Sequence, residues 1–336
     1  AARHSTIHVQ AVHPEDNVGT NLADELTPLN YYTILSDEEP ASVYTNANLR
    51  SFYITQPLQI NMENDSLHMR FYSPVGIKEV TVMAKSPTMD EYVEFVYIDD
   101  IPAFADIKTS IKVLEKGLYR TESGKVLQFS AEEMNPASLS LKIACNDPYW
   151  TKISQIKAKW YIKFVLNGGN PVTGTPNKNW WGIRPVHCRE AVALFLNIGY
   201  MCTLEKFQQR VSTFQGTFLD NNRYPVDTST LISRLENLSG FDIGLIYSGN
   251  GVSGLGGGRT WGVYQKSFLY HYENSGGCCS TIFHELGHCL GYNHNSTMTY
   301  GQWASGCADV FYKNNIKDFP VNSHTILKSR SNPNIY

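Results

Sequence analysis

The chain has 336 residues, a length that favours two domains of ordinary size over one. Hydrophobic residues make up 42% of the sequence and charged residues 18%, proportions that are normal for folded proteins and exclude an intrinsically disordered chain. The formal net charge is −3 and no run of Lys or Arg is long enough to bind a phosphate backbone, which excludes nucleic acid as a partner. No stretch approaches the roughly 18 consecutive apolar residues of a membrane span, so no transmembrane segment is expected.

The first 150 residues predict a β-rich module. Residues 1–50 are polar and interrupted by prolines, so they predict loop, irregular structure or an edge strand within this module. From Ser51 to about Cys145, short runs alternate apolar and polar residues with period two and are separated by Pro, Gly, Asp or Asn. This pattern is typical of an antiparallel sandwich. We therefore place a β-sandwich-like domain at residues 1–150.

The second half, residues 151–336, predicts mixed α and β structure. Apolar residues at helical spacing predict a helix from His187 to about Phe214, and Asp227 or Thr228 is suited to cap a second, shorter helix. The glycine-rich segment 249–258 lacks the spacing of a phosphate-binding loop and predicts a bend that brings the backbone close to another chain or a ligand. Apolar runs predict three strands, at residues 158–166, 241–247 and 260–269.

The seven cysteines leave two interpretations open. Their odd number and the absence of CxxC argue against a cysteine zinc site or a thioredoxin-like redox motif. In an oxidising compartment, Cys188 could pair with Cys202, or Cys307 with Cys278 or Cys279. Alternatively, the cysteines are buried free thiols that pack as small hydrophobic side chains.

A histidine pattern in the second half predicts a metal site. His284 and His288 lie four residues apart, one helical turn, so both imidazoles can reach a single ion. Gly291 can adopt the left-handed conformation that ends a helix, which turns the chain so that His294 approaches the same ion. Three protein ligands and an open fourth position for water are typical of catalytic zinc. Glu285, about 100° around the helix from His284, is placed to act as general base on that water.

The same helix is predicted to be amphipathic. Five side chains fall on the arc opposite the two histidines: Ile282, Phe283, Leu286, Cys289 and Leu290. The helix should therefore pack through one face and present its ligands on the other. Among the remaining histidines, His187 and His324 stay open as further residues of the site.

The segment His284–His294 resembles the metzincin motif HExxHxxGxxH in all its defined positions, and Ser296–Gly301 resembles the Met-turn that follows it. The resemblance implies an α+β protein whose metzincin-like catalytic domain, with a mixed sheet, a zinc helix and a Met-turn, occupies residues 151–336. It implies that Met298 forms an apolar floor beneath the zinc. Tyr300 has the position of a tyrosine that, in astacins and serralysins, contacts zinc in the free enzyme and stabilises the oxyanion during turnover.

The resemblance also implies a function, that of a zinc-dependent endopeptidase which hydrolyses protein or glycoprotein substrates with one catalytic Zn²⁺. Metzincins bind extended substrate along an edge strand of the sheet. The candidate strand here is Arg259–Tyr264, with Trp261, Gly262 and Val263 at its centre, although the same run also fits an ordinary sheet strand. Because metzincins are mostly secreted or surface proteins, we expect a secreted, periplasmic or cell-surface location.

An alternative function comes from a different class of protein. The β module and the many aromatic side chains also fit an extracellular adhesion protein that binds glycan or protein and carries a secondary zinc site. The presence of both Glu285 and Tyr300 favours the enzyme over this binding protein.

Overall fold

The computed structural model of the chain describes residues 9–14, 21–26, 28–46, 49–272 and 278–323. These residues form a mixed α/β protein with several sheets, and the chain divides into two compact units. No helix in the described ranges is both long enough and apolar enough to cross a bilayer.

Strands and helices are numbered along the chain. The strands are β1 (Val9–Pro14), β2 (Asn21–Leu26), β3 (Pro28–Thr33), β4 (Ser51–Tyr53), β5 (Leu58–Glu63), β6 (Ser66–Phe71), β7 (Ile77–Lys85), β8 (Val93–Ile101), β9 (Ala105–Ser110), β10 (Lys116–Arg120), β11 (Val126–Ser130), β12 (Ser140–Ala144), β13 (Tyr161–Phe164), β14 (Trp180–Trp181), β15 (Gly240–Ile246), β16 (Gly254–Gly257) and β17 (Thr260–Val263). The helices are α1 (Ala41–Tyr44), α2 (Pro148–Ile153), α3 (Pro185–Thr203), α4 (Glu205–Ser212), α5 (Thr228–Glu236), α6 (Gln265–Tyr270), α7 (Cys278–Cys289) and α8 (Val310–Asn315).

The first unit is built from antiparallel sheets. One sheet has the strand order β12-β7-β8-β1-β2, a second has the order β3-β9-β6-β5, and β10 and β11 form a hairpin. Burial alternates along β6, where Leu67, Met69 and Phe71 point into the core. Strands of both larger sheets contribute to one hydrophobic core. Within the first 50 residues, β1 lies inside a sheet between β8 and β2, so the prediction of loop, irregular structure or an edge strand is wrong for β1, whereas β2 and β3 are edge strands of the described sheets.

Residues 35–56 belong to the second unit together with residues 152–336, so the predicted domain at 1–150 is wrong over this stretch. Its strand β4 pairs antiparallel with β13, where Tyr53 lies opposite Tyr161. The buried guanidinium of Arg189 donates hydrogen bonds to the Leu35 carbonyl at 2.7 Å and to the Asp37 carboxylate at 2.9 Å. Such partners lie more than 100 residues apart in sequence, which is why local composition did not reveal them.

The second unit is organised around a mixed sheet with the strand order β16-β17-β15-β13-β4. Strands β13, β15 and β17 run parallel, whereas β16 is antiparallel to β17. Helix α3 is buried along most of its length, and its Phe195 ring lies 5.1 Å from the Phe241 ring of β15 and 4.9 Å from the Trp261 ring of β17. The predicted helix over 187–214 is divided into α3 and α4 at Leu204, whose backbone is extended.

Local signals located some elements of this unit correctly. The side chain of Asp227 accepts a hydrogen bond from the Ser229 backbone N–H at 3.0 Å, which confirms Asp227 as the cap of α5. The predicted strand over 260–269 ends at Val263, and α6 follows it. The glycine-rich segment is not all loop, because it contains β16.

The predicted substrate edge strand is wrong for Trp261, Gly262 and Val263. These residues form β17, which is paired on one side with β15 and on the other with β16. A strand with two neighbours has no free row of backbone N–H and C=O groups to offer a peptide. Within the described sheet the outermost strand on this side is β16, Gly254–Gly257.

Five cysteines are free thiols: Cys145, Cys188, Cys202, Cys289 and Cys307. Of the two interpretations, the Cys188–Cys202 pairing does not form, because both residues lie on α3 and a helix places residues 14 apart about 21 Å from one another. Burial raises the pKa of the Cys188 and Cys307 thiols to about 11, which suits packing rather than reactivity. The side chains of Cys278 and Cys279 lie outside the described residues.

Candidate metal centre

Helix α7 is held in place by its apolar face, as the sequence predicts. Ile282, Phe283 and Leu286 are fully buried. Two buried tryptophans also donate indole N–H hydrogen bonds to the helix backbone, Trp261 to the Ile282 carbonyl at 3.2 Å and Trp303 to the Phe283 carbonyl at 3.1 Å. These contacts fix the rotation of the helix, so the opposite face, which carries the histidines, turns toward a cleft.

The end of α7 has the geometry of a Schellman motif. Gly291 has φ +96°, which confirms the predicted left-handed residue. The Tyr292 N–H donates to the Gly287 carbonyl at 3.1 Å and the Gly291 N–H donates to the His288 carbonyl at 2.9 Å. The chain therefore leaves the helix axis immediately after the second histidine.

This turn brings three imidazoles together. The Nε2 atom of His288 lies 3.1 Å from Nε2 of His284 and 3.1 Å from Nε2 of His294. One ring nitrogen from each residue lies within 4.8 Å of the others, which makes the group suitable to hold a metal ion. Zn–N bonds of about 2.0–2.1 Å at tetrahedral angles separate the ligand nitrogens by about 3.3 Å, close to the observed spacing.

Backbone carbonyls fix the tautomers of two of these rings. Nδ1 of His284 donates a hydrogen bond to the Thr299 carbonyl, and Nδ1 of His288 donates to the Tyr292 carbonyl at 2.7 Å. In the neutral rings both Nε2 atoms are then acceptors, and they face each other with no proton between them. A cation satisfies both lone pairs at once. Burial lowers the pKa of His284 and His288, which favours the neutral form that binds metal.

Glu285 lies beside these nitrogens and is almost completely buried. Its side chain is 4% exposed, and its Oε1 atom lies 3.9 Å from Nε2 of His284. Burial raises the pKa of Glu285 to about 7. A cation bound by the neighbouring imidazoles would oppose this rise. The Glu285 carboxylate thus lies close to the imidazole nitrogens but is not one of the three groups that converge on the candidate metal position.

The glycines of β16 explain how a strand approaches Glu285 so closely. A Cβ atom on Gly256 would lie 2.6 Å from the Glu285 carbonyl oxygen and 2.7 Å from its Oε2 atom. Gly254 likewise leaves no room for a side chain, because the Glu285 carboxylate occupies that space. The sequence predicted that this segment brings its backbone close to another chain or a ligand, whereas in the structure it lies against Glu285 of the same chain.

Met298 and Tyr300 both lie in the turn that contacts α7. Met298 is fully buried, and its carbonyl lies so close to Gly287 of the helix that a side chain there would clash. The Tyr300 side chain is 53% exposed, and its ring centroid lies 5.0 Å from that of His284 and 5.1 Å from that of His294. The structure therefore brings Tyr300 to the rim of the histidine cluster.

The three histidines and Glu285 line a cleft of about 610 Å³ within the second unit. One wall is β16. Other lining residues are small ones from the first turn of α7, the turn that contains Tyr300 and the π-helix Ala304–Asp309. These small lining residues are Ser280, Thr281, Gly301, Ala304 and Ser305.

Comparison with known proteins adds no family to this geometry. No protein-family model matches the chain, and no match was found among curated proteins or solved structures. A fold alone does not determine function, so function has to be inferred from the chemistry of the site.

The two further histidines considered from sequence do not join the cluster. His187 is buried in the first turn of α3, where its Nδ1 atom accepts from the Arg184 backbone N–H at 3.2 Å and its Nε2 atom lies 2.9 Å from Oε1 of Gln265. These contacts give it a structural role as a helix cap. His324 lies outside the described residues.

Replacing Gly291 with Ala is expected to weaken zinc binding and to lower stability by about 1–2 kcal/mol, the cost of left-handed backbone with a Cβ. No described atom lies within 4 Å of the added Cβ, so the strain arises in the backbone of this turn. Zinc affinity by chelator competition and the free energy of unfolding measure the two effects. Gly216→Ala is the matched control, because Gly216 has φ +86° in equally open surroundings. That variant should lose stability but keep wild-type zinc affinity, and an unchanged affinity for Gly291→Ala would contradict the role of the turn.

Proposed function

We propose that the chain is a zinc-dependent endopeptidase that hydrolyses peptide bonds of protein or glycoprotein substrates. The observation that carries this proposal is the convergence of three imidazole nitrogens beside a buried carboxylate at an open cleft. Bound zinc supplies Lewis-acid polarisation of the scissile carbonyl and lowers the pKa of a water molecule. His284, His288 and His294 would hold this ion.

The carbonyls of Thr299 and Tyr292 support the ligand set. They fix the ring orientation of His284 and His288 by accepting from Nδ1, which leaves the Nε2 atoms of the two rings facing each other, where an ion would bind. Hydrogen bonds of this kind keep metal-binding histidines in one tautomer and raise their basicity. The ligands are thus oriented before metal arrives.

Glu285 acts as the general base. It takes a proton from the attacking water and delivers it to the nitrogen of the leaving amine, so the carboxylate returns to its starting state. Its burial against β16 limits the contact of the carboxylate with bulk water. Because His284, His288 and His294 would supply the protein ligands of the ion, Glu285 is left available for this proton transfer.

Tyr300 stabilises the oxyanion. The carbonyl oxygen of the scissile bond gains negative charge as water attacks, and a phenol at the rim of the histidine cluster can donate a hydrogen bond to it. The ring positions beside His284 and His294, together with the partial exposure of the side chain, support this role.

Strand β16 is the substrate-binding edge in this proposal. It is the outermost described strand beside the cleft, and it passes directly over Glu285. An extended peptide that pairs with this strand gains main-chain hydrogen bonds regardless of its sequence. Because Gly254, Gly256 and Gly257 carry no side chains, the peptide backbone can lie close to the carboxylate.

Gly256→Ala is expected to lower kcat/KM about 100-fold, because the added methyl group meets the Glu285 backbone and carboxylate and forces one of them to shift. Displacement of a reacting group by about 1 Å costs on that order. Steady-state kinetics on one peptide substrate measure the change. Ser253→Ala, which alters the same cleft without adding an atom, is the control and should retain most activity. Wild-type kinetics for Gly256→Ala would show that this strand does not set the position of the base.

The experiment that tests the proposal is digestion of a broad panel of unfolded proteins and glycoproteins by the purified full chain. We expect cleavage at internal peptide bonds, loss of cleavage after chelation and recovery on addition of zinc. Mass spectrometry of the products also gives the cleavage preference. A chain that binds zinc and a glycan or protein, yet cleaves nothing in the panel, would favour the adhesion protein with a secondary zinc site.

A further inference from the structure

His294 differs from the other two ligands in how it is supported. His284 and His288 project from a packed helix, whereas His294 is exposed and lies in the irregular segment after Gly291. A side chain on irregular, exposed backbone has many accessible positions, and ordering it on metal binding costs free energy. The position of His294 therefore depends on whatever holds its backbone.

A turn from elsewhere in the second unit contacts this segment. Leu219 and Pro225 form an antiparallel bridge that closes the turn. Inside it, the Asp220 carboxylate accepts hydrogen bonds from the backbone N–H groups of Asn222 and Tyr224, both at 2.9 Å. These local bonds give the turn a defined shape independent of the metal site.

The turn presents Asn221, whose side chain holds the backbone before His294 at two points. Its Nδ2 group donates to the Gly291 carbonyl at 3.1 Å, and its Oδ1 atom accepts from the Asn293 N–H at 2.7 Å. Both polar atoms of the amide are thus used, one at the helix-ending glycine and one directly before the histidine. These two hydrogen bonds lie on either side of Tyr292, whose carbonyl also orients the His288 ring.

Further contacts tie down the chain after His294. The Arg223 guanidinium donates to the Asn295 carbonyl at 3.0 Å. The Leu219 carbonyl accepts from the Ser296 hydroxyl at 2.6 Å and from the Thr297 N–H at 3.1 Å. The segment between the zinc helix and the Met-turn is therefore held at both ends by one turn, and among the contacts of this turn Asn221 makes those on the N-terminal side of His294.

We propose that Asn221 is a positioning residue for the third metal ligand. By fixing the backbone of Gly291 and Asn293, its amide pre-orders the segment so that Nε2 of His294 already faces the other two imidazoles before the ion binds. This inference rests on the proposed zinc site. Residues that orient metal ligands in this indirect way typically contribute 10–100-fold to metal affinity.

The test measures zinc affinity of the full chain by chelator competition. Asn221→Ala is expected to bind zinc about 10–100-fold more weakly than wild type. Asn221→Leu, which keeps the volume without either hydrogen-bonding group, should show the same loss and guards against a packing effect. Asn222→Ala and Asn222→Leu are matched controls, because the Asn222 side chain makes no hydrogen bond to any described residue, and both should bind as wild type does.

A double-mutant cycle separates positioning of His294 from a general structural effect. In a His294→Ala background, Asn221→Ala should have no further effect on zinc affinity, because the group that it positions is gone. A loss that persists in that background, or wild-type affinity in both Asn221 variants, would overturn the inference and leave the proposed zinc site standing. A wild-type chain that binds no zinc would overturn both.

Discussion

Glu285→Gln is expected to lower the rate of peptide hydrolysis by about 100- to 10,000-fold while zinc remains bound, the range that general-base catalysis typically contributes. Glutamine has nearly the same shape, so it can occupy the space between the histidines and β16, but its amide cannot take a proton from water. Retention of zinc follows because the three converging nitrogens belong to histidines. Peptide-cleavage kinetics and metal content of the same preparation test both parts.

The matched control for this change is Glu236→Gln. Burial also raises the pKa of Glu236, which ends α5 and does not line the cleft. The variant removes another carboxylate whose pKa burial raises, although Glu236 is only half-buried, and it should cleave as the wild type does. Wild-type cleavage by Glu285→Gln would show that another group is the base, and loss of zinc from that variant would mean that Glu285 helps to hold the ion.

His288→Ala is expected to weaken zinc binding by about two orders of magnitude and to abolish hydrolysis. His288 is the central residue of the histidine cluster, since its Nε2 atom lies 3.1 Å from the corresponding atom of both His284 and His294. Structural zinc sites with four protein ligands bind the ion with a free energy of about 10–16 kcal/mol, so one ligand contributes about 3 kcal/mol. A loss of about 3 kcal/mol corresponds to about two orders of magnitude in affinity. Chelator competition gives the affinity, and activity is measured at saturating zinc so that a simple lack of metal is excluded.

The control is His68→Ala in the first unit, where His68 pairs with Glu63 and Asp106 on an antiparallel sheet. That variant should keep wild-type zinc affinity and activity, which shows that loss of a histidine does not by itself lower either one. Full activity in His288→Ala would show that the histidine cluster does not take part in the reaction.

The sequence predicted those parts of the site that depend on local spacing. Two histidines one turn apart, an apolar arc on the opposite face of α7 and a left-handed Gly291 are all properties of a short segment, and the structure confirms each of them. The cap at Asp227 belongs to the same class. That the three histidines bind zinc, and that the reaction is proteolysis, remain proposals.

Features that depend on pairing between distant segments were missed. β16 was predicted as part of a glycine loop because four residues that are mostly glycine show no alternation, although their backbones pair normally with β17. The apolar run at 260–263 has the same pattern whether its strand is outermost or interior, so the edge was assigned to the wrong strand. Asn221 lies 70 residues from Gly291 in sequence, and only the folded chain reveals their hydrogen bond.

Zinc titration of the metal-free chain, with bound metal and cleavage of an unfolded protein followed in the same samples, tests the central claim most directly. We predict that both signals rise together and reach a plateau at one zinc ion per chain, and that Glu285→Gln gives the binding curve without the cleavage. Saturation of the wild type with one zinc ion and no cleavage, or cleavage that is complete before any zinc is added, would contradict the account.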